Sequence, residues 1–312
     1  FNRDKKLLTF SDSVQDAAHR AGFYGARTYR TTLRTAIAHT IAHTIAVRPP
    51  GLSLAELLVE FPRFWRHRLD GPGNYVATFL PTDLEWLREW EEFLDSEADD
   101  LPADSALPHI VDQRLAWEIV NQFGHRSGVG PSLERSGTCA ASFDRAALEQ
   151  AIAALHRHLS NEYEALRSLP RATVRQFVLG LLHHLRQRGG ILQAATDSYI
   201  SNGGNTFLLQ RPVYMPHIGP HTPAPTFWVN VSAGDTRFER VWQTGNRMSW
   251  AEDWTRRVFA GDSLLLKEQI VPLLHTTWQG EATGFVESDW TEGPAQHLVM
   301  YLRRLGAGAV LY

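Results

Sequence analysis

The chain has 312 residues, 43% of them hydrophobic and 21% charged, so it carries enough apolar side chain for sizeable cores and a wholly disordered chain is excluded. Thirty-one basic against 34 acidic residues leave a net charge of -3, and no global excess advertises a nucleic-acid or membrane partner. The single cysteine, Cys139, excludes an internal disulfide framework and any zinc site built on several thiolates, and it suits a reducing, cytoplasmic setting.

Leu7-Leu8-Thr9-Phe10 is a short apolar run of the form expected of a strand in a parallel sheet. Ser13-Val14-Gln15-Asp16 follows as a capping box, opening a helix that runs to Gly22 as its stop. A second helix covers Thr31 to Val47 and ends before Pro49-Pro50. Leu52 to Leu69 reads as helical, with Pro62 kinking or splitting it, and Gly71-Pro72-Gly73-Asn74 reads as a turn. Asp83 to Leu94 is a further predicted helix with Leu84, Leu87, Trp90 and Leu94 on one side. Ten acids lie between Asp83 and Asp104, and they read as a solvated face continuing into an acidic surface linker up to Pro108.

Gly124 to Gly137 is a predicted loop. Asp144 is the expected N-cap of a helix from Arg145 to Leu166, with Leu148, Ile152, Leu155, Leu159 and Leu166 in one stripe. After Pro170 a second helix places Val174, Phe177, Val178, Leu181, Leu182 and Leu185 at helical spacing before Gly189-Gly190. Asn202-Gly203-Gly204-Asn205 ahead of Thr206-Phe207-Leu208-Leu209 is a hairpin signal, and a helix followed by such a wing is the plan of a winged-helix module. Prolines 212 to 225 form a stiff connector, followed by a strand over Thr226 to Val231. Trp250 to Val258, Leu264 to Trp278 and Gln296 to Leu305 read as helices, and Val310-Leu311-Tyr312 as the start of a strand, as in an excerpt of something longer. The charge-free run Thr35 to Val47 is too short to cross a bilayer, and the proline-broken run Pro212 to Gly234 cannot form a spanning helix, so no membrane partner is expected.

Candidate chemistry is sparse. No G-x-x-x-x-G-K-[ST] run and no G-x-S-x-G elbow occur. His39 and His43 share one helix face at i, i+4 but lack a distinctive third metal ligand, and the adjacent His183 and His184 diverge around their helix. Cys139 with His125 as base is conceivable chemistry, although a lone cysteine is more often a small filler. Local charge is more telling. Residues 1–34 hold seven cations and three acids, and residues 145–188 repeat that balance. In the second stretch Arg171, Arg175, Arg186 and Arg188 coincide with the predicted winged helix, where phosphate contacts belong, and a merely solvated helix surface is the plainer alternative.

The most specific string is Lys5-Lys6-Leu7-Leu8-Thr9-Phe10-Ser11-Asp12-Ser13-Val14-Gln15-Asp16-Ala17-Ala18-His19-Arg20-Ala21-Gly22-Phe23. It resembles the motif IV opening of the second RecA-like domain in large bacterial DEAD/DEAH-box helicases of superfamily 2. Their pattern is an apolar strand, then F-[ST]-D-[SN]-x-Q-D-A, then a small-residue helix; Phe10, Ser11, Asp12, Ser13, Gln15, Asp16 and Ala17 match it, while Val14 replaces the usual Arg. The match covers roughly the first 30 residues, and the family's later ATPase and arginine-finger motifs do not occur in the chain. What the resemblance implies is an internal piece of an ATP-dependent DNA helicase or translocase, with ATP and Mg belonging to the whole motor and no cofactor of its own. Its partners would be DNA or RNA and the remaining helicase domains. Residues at a strand end leading into a helix N-terminus meet free backbone donors and a positive dipole end, which suit a phosphate. On this reading Ser11, Ser13 and Gln15 line that corner, with Arg20 further along the helix.

The expected architecture is therefore α+β and predominantly α-helical. It comprises a partial RecA-like strand–helix start over 1–48, a helical insertion with an acidic linker over 49–168, and a winged-helix-like region over 169–312. The rival readings are a helical protein-interaction adaptor that does not bind nucleic acid, and a His-ligated metalloenzyme built on His39 and His43.

Overall fold

The computed structural model describes residues 14–48, 51–96, 98–124, 132–162, 164–188, 191, 227–230, 238–240, 248–259 and 309–311. These residues are predominantly helical. The expected strand at Leu7 to Phe10, the wing after Asn202, the proline connector and the helices over 264–278 and 296–305 lie outside the described residues.

Helix α1 runs unbroken over Val14–Val47, so the predicted stop at Gly22 and the separate helix from Thr31 are one element. A glycine inside a helix costs about 1 kcal/mol relative to alanine, and the buried stripe beyond it outweighs that. Ala26, Tyr29, Leu33, Ala36, Ile37, Thr40, Ile41 and Thr44 are buried at helical spacing along one face. The buried threonines satisfy themselves, Thr40 Oγ1 donating to the Ala36 carbonyl and Thr44 Oγ1 to that of Thr40, each at 2.9 Å.

The segment after Pro50 also departs from expectation. Leu52–Ser53 is a short strand, β1, and helix α2 spans Leu54–Arg68 without being split by Pro62. Ser53 caps α2 through a reciprocal box with Glu56: Glu56 N–H donates to Ser53 Oγ at 3.1 Å, and Ser53 N–H to Glu56 Oε2 at 2.8 Å. The predicted turn at Gly71-Pro72-Gly73-Asn74 is the first turn of α3, Gly71–Phe79. Gly71 has φ +83°, and a Cβ there would sit 2.2 Å from Asp100 Oδ2, so only glycine admits the Asp100 carboxylate to this helix end.

A single helix over Asp83 to Leu94 is not formed. The chain makes a 3-10 turn over Thr82–Leu84 and then α4, Arg88–Asp95. Helix α5 follows at Leu107–Phe123, and from Arg114 onward it is buried on nearly every side, as a central helix must be. Helices α1, α2, α3 and α5 enclose a core that includes Ile37, Leu57, Phe61, Phe79, Leu115 and Phe123.

Strand β2, Ala141–Phe143, precedes α6 at Arg145–Glu162, and Ala147 N–H donates to Asp144 Oδ1 at 2.7 Å, so Asp144 is the cap that its position predicts. The stripe residue Leu166 belongs to a separate 3-10 turn, Glu164–Leu166. Helix α7 is Arg171–Gln187, burying Val174, Phe177, Val178, Leu181 and Leu182 as the spacing anticipates. Strands β3, Phe227–Asn230, and β4, Phe238–Arg240, pair in parallel with a register shift. Helix α8 is Trp250–Val258, capped by Ser249 with Glu252. Strand β5, Ala309–Leu311, lies between β1 and β2 and is antiparallel to both, with Val310 opposite Ser53 on one side and Ser142 on the other. Among the described residues no helix is long and apolar enough to cross a membrane.

Candidate functional site

Helix α1 is described from Val14 on. Ser11 and Ser13 lie outside the described residues, whereas Gln15 and Arg20 fall on the backbone of the first two turns of α1.

The second predicted patch divides into two kinds of arginine. Arg171 and Arg175 lie on the exposed face of α7 and both reach Glu149 of α6, Arg171 Nη2 donating to Glu149 Oε2 at 2.9 Å and Arg175 Nη2 to Glu149 Oε1. One carboxylate therefore serves two guanidinium groups, leaving one positive charge on this surface. Arg188 is exposed just past the end of α7. Arg186 is different. Its side chain is 2% exposed, donates to Glu134 through both Nη1, at 2.8 Å, and Nη2, at 3.0 Å, and also reaches the Phe123 carbonyl. A guanidinium held this way ties the end of α7 to the end of α5 and has no open face for a phosphate, so its place in the predicted contact row is corrected to a packing role. His183 sits beside it with its ring 5.0 Å from Phe143, and burial first and the Arg186 charge second hold its imidazole below the usual range.

A buried ionic network went unrecognised in the sequence. Asp83, read there as part of a solvated acidic face, is 1% exposed and accepts two bonds from Arg114, from Nη1 at 2.9 Å and Nη2 at 3.2 Å. Arg114 Nε donates to Glu118 Oε1 at 3.1 Å, the guanidinium lies 5.5 Å from the Trp117 ring centroid, and Trp86 Nε1 donates to the Asp83 carbonyl at 2.8 Å. Burial pushes the Asp83 carboxyl up to about 6 despite the opposing charge of Arg114. With all three ionic side chains essentially without exposure, no substrate atom reaches them, and the network holds α5 to the turn before α4 rather than performing chemistry. The available signal was the i, i+4 pair Arg114–Glu118 set among Leu115, Ala116, Trp117, Ile119 and Val120 of α5.

His39 and His43 are exposed, and they share an aromatic neighbour. Their rings lie 5.5 and 4.8 Å from that of Phe64, and His39 Nε2 accepts from Arg68 Nη1 at 3.4 Å. Among the described residues no group of three His, Cys, Asp or Glu is placed to hold a metal ion. Cys139 is buried, and burial together with the nearby Glu134 raises its thiol pKa, which opposes a nucleophilic role; its suggested partner His125 lies outside the described residues. Comparison of the chain with family models, with curated proteins and with solved structures returned no match.

Proposed function

We propose that this chain is an internal piece of an ATP-dependent DNA helicase or translocase, gripping a nucleic-acid backbone and coupling the motor to an inserted helical region. The observation that carries the reading is the string Phe10-Ser11-Asp12-Ser13-Val14-Gln15-Asp16-Ala17, whose last four residues lie on the helix described over Val14–Val47. Serine hydroxyls and unpaired backbone N–H groups at a helix N-terminus donate to phosphate oxygens, and the helix dipole favours the negative charge there. Ser11, Ser13 and Gln15 are the proposed contacts at this corner, with Arg20 adding charge farther along α1. From α7, Arg171, Arg175 and Arg188 remain in the proposal, while Arg186 leaves it for the reason given above. No Walker-type phosphate loop occurs in the sequence, and none of the three lysines follows a glycine-rich loop. ATP hydrolysis on this reading belongs to the rest of the motor, and this chain's contribution is binding and mechanical continuity through the long helix α1.

Filter binding of the chain to single-stranded and duplex DNA over a series of salt concentrations tests the grip. The expected result is binding at low salt that weakens log-linearly, each neutralised phosphate contributing about 0.7–0.9 to the slope. Ser11→Ala with Ser13→Ala, and separately Arg20→Glu, should each weaken binding. Undetectable binding at low salt, or binding indifferent to salt, overturns the proposal. A helical protein-interaction module is the second reading, favoured by the engagement of Arg171 and Arg175 with Glu149 and of Arg186 with Glu134. Charge reversal at Arg175 and Arg188 separates the two, since it weakens DNA binding but leaves docking of a protein partner intact.

A further inference from the structure

The exposed corner between the second half of α1 and the end of α2 gathers one arginine and several imidazoles around a half-buried ring. Arg68 lies over Phe64, its guanidinium carbon 4.8 Å from the ring centroid, and donates to His39 Nε2 at 3.4 Å. Because arginine can only donate, His39 Nε2 is the acceptor in this contact. His43 packs on the same ring from the next turn of α1, and His67 adjoins Arg68 on α2. Elsewhere on the surface Arg66, Arg88, Arg171, Arg175 and Arg257 each meet a carboxylate. Arg68 has no carboxylate within ion-pair distance among the described residues, although Asp70 is two positions on. The acids of α2 lie toward its other end, Glu60 shared by Arg48 at 3.6 Å and Arg63 at 3.5 Å, and Glu56 held by Ser53.

We propose that this corner is a phosphate-binding site for a single nucleic-acid strand. An oxyanion placed against Arg68 accepts its remaining N–H donors, and a tautomeric flip lets the imidazoles of His39 and His43 donate as well. The occupant is a polynucleotide rather than an isolated phosphate because the donors form rows. His39 and His43 are four residues apart on α1, as are Arg63 and His67 on α2, an advance of about 6 Å in each row. The half-buried Phe64 between the rows adds an apolar contact for a sugar or base. The site goes beyond the grip proposed above: it lies about 36 Å along the continuous helix α1 from Gln15, on different residues.

The test is fluorescence anisotropy of a labelled oligodeoxynucleotide titrated with the full chain at several salt concentrations. Arg68→Gln combined with His39→Gln and His43→Gln alters only exposed side chains, so the thermal midpoint should be kept. The affinity at low salt should fall about tenfold or more, with a salt slope reduced by about 0.7 for each phosphate that is no longer neutralised. Unchanged affinity overturns the proposal. Broadening of the phosphorus resonance of inorganic phosphate that disappears in the triple variant, with oligonucleotide binding unaltered, also overturns it in favour of a free anion. The Ser11→Ala, Ser13→Ala chain serves as the parallel arm. Weaker binding there alone sinks this site and keeps the helix-start grip, and weaker binding in the triple variant alone does the reverse.

Discussion

Asp83, Arg114 and Glu118 show how far a single position can depart from its local sequence character. Ten acids crowd Asp83 to Asp104, and nothing nearby says that one of them meets an arginine 31 residues further on. Asp100 is a second exception, its Oδ1 accepting from Gly73 N–H at 2.5 Å and from Leu101 N–H at 2.8 Å at the start of α3. The buried pair is costly to break from one side, because a lone charge is then left without water or partner. Replacing Arg114 with Met should destabilise the chain by about 3–5 kcal/mol. The pH dependence of Asp83 has an unusual sign. Its folded pKa lies near 6, above the ordinary 3.8, so the folded chain holds the proton more tightly than the unfolded one. The contribution of this group is therefore fully present below about pH 4, is lost as pH rises to about 6, and is constant above. Roughly two pH units at ~1.4 kcal/mol each give about 3 kcal/mol. Urea midpoints measured from pH 4 to 7 should show Asp83→Asn lacking that decline; a variant that parallels the wild-type chain refutes the assignment.

Among whole elements, the legible ones were those whose signal is local. The stripes of α6 and α7, the Asp144 cap and the limits of α8 all follow from spacing within a few residues. Gly22 misled because a helix-interior glycine's cost of about 1 kcal/mol is set against packing that comes from other helices. In α1 and α2 that packing prevails, with Ile37, Ile41, Leu57 and Phe61 all buried within one core. Gly180 is the converse case, a glycine whose purpose lies outside its own helix. A Cβ there would stand 2.1 Å from Trp254 Cζ2, and the indole is fixed by Nε1 donating to the Phe177 carbonyl at 3.0 Å. Trp250 stacks on His184 alongside, with ring centroids 3.6 Å apart. Gly180→Ala sets a helix-propensity gain of up to about 1 kcal/mol against forced displacement of α8. The clash should win by about 1–3 kcal/mol, since a wedged indole has no flexible end to yield. Denaturation followed by tryptophan emission decides it: a lower midpoint with a red-shifted native spectrum is expected, whereas a higher midpoint would mean that α8 does not seat in this notch.

At the scale of the whole molecule, the three-stranded sheet joins two helical groups that sequence proximity keeps apart. Strand β1 ends in Ser53, the cap of α2, and β2 leads into Asp144, the cap of α6; β5 lies between them and pairs with both. No local reading of the chain could pair Ala309–Leu311 with Leu52–Ser53 and Ala141–Phe143, because strand partners chosen over such separations leave no periodic mark. The short strand at Val310 was legible, and its partners were not. This arrangement makes Val310 a position where one backbone change reaches two helix starts. Proline has no N–H to donate and is confined to edge strands, and Val310 is central. Val310→Pro removes a ladder bond and leaves an acceptor on β1 or β2 unpaired, at a cost of about 1–3 kcal/mol. Its diagnostic effect is spatial. Amide exchange should quicken together at Leu52, Ser53 and Glu56 on one side and at Ala141, Phe143 and Ala147 on the other, while the buried middle of α5 stays protected. Faster exchange confined to one flank would mean that β5 braces only one helical group, and unchanged exchange on both flanks would remove the strand from the account of how the two are joined.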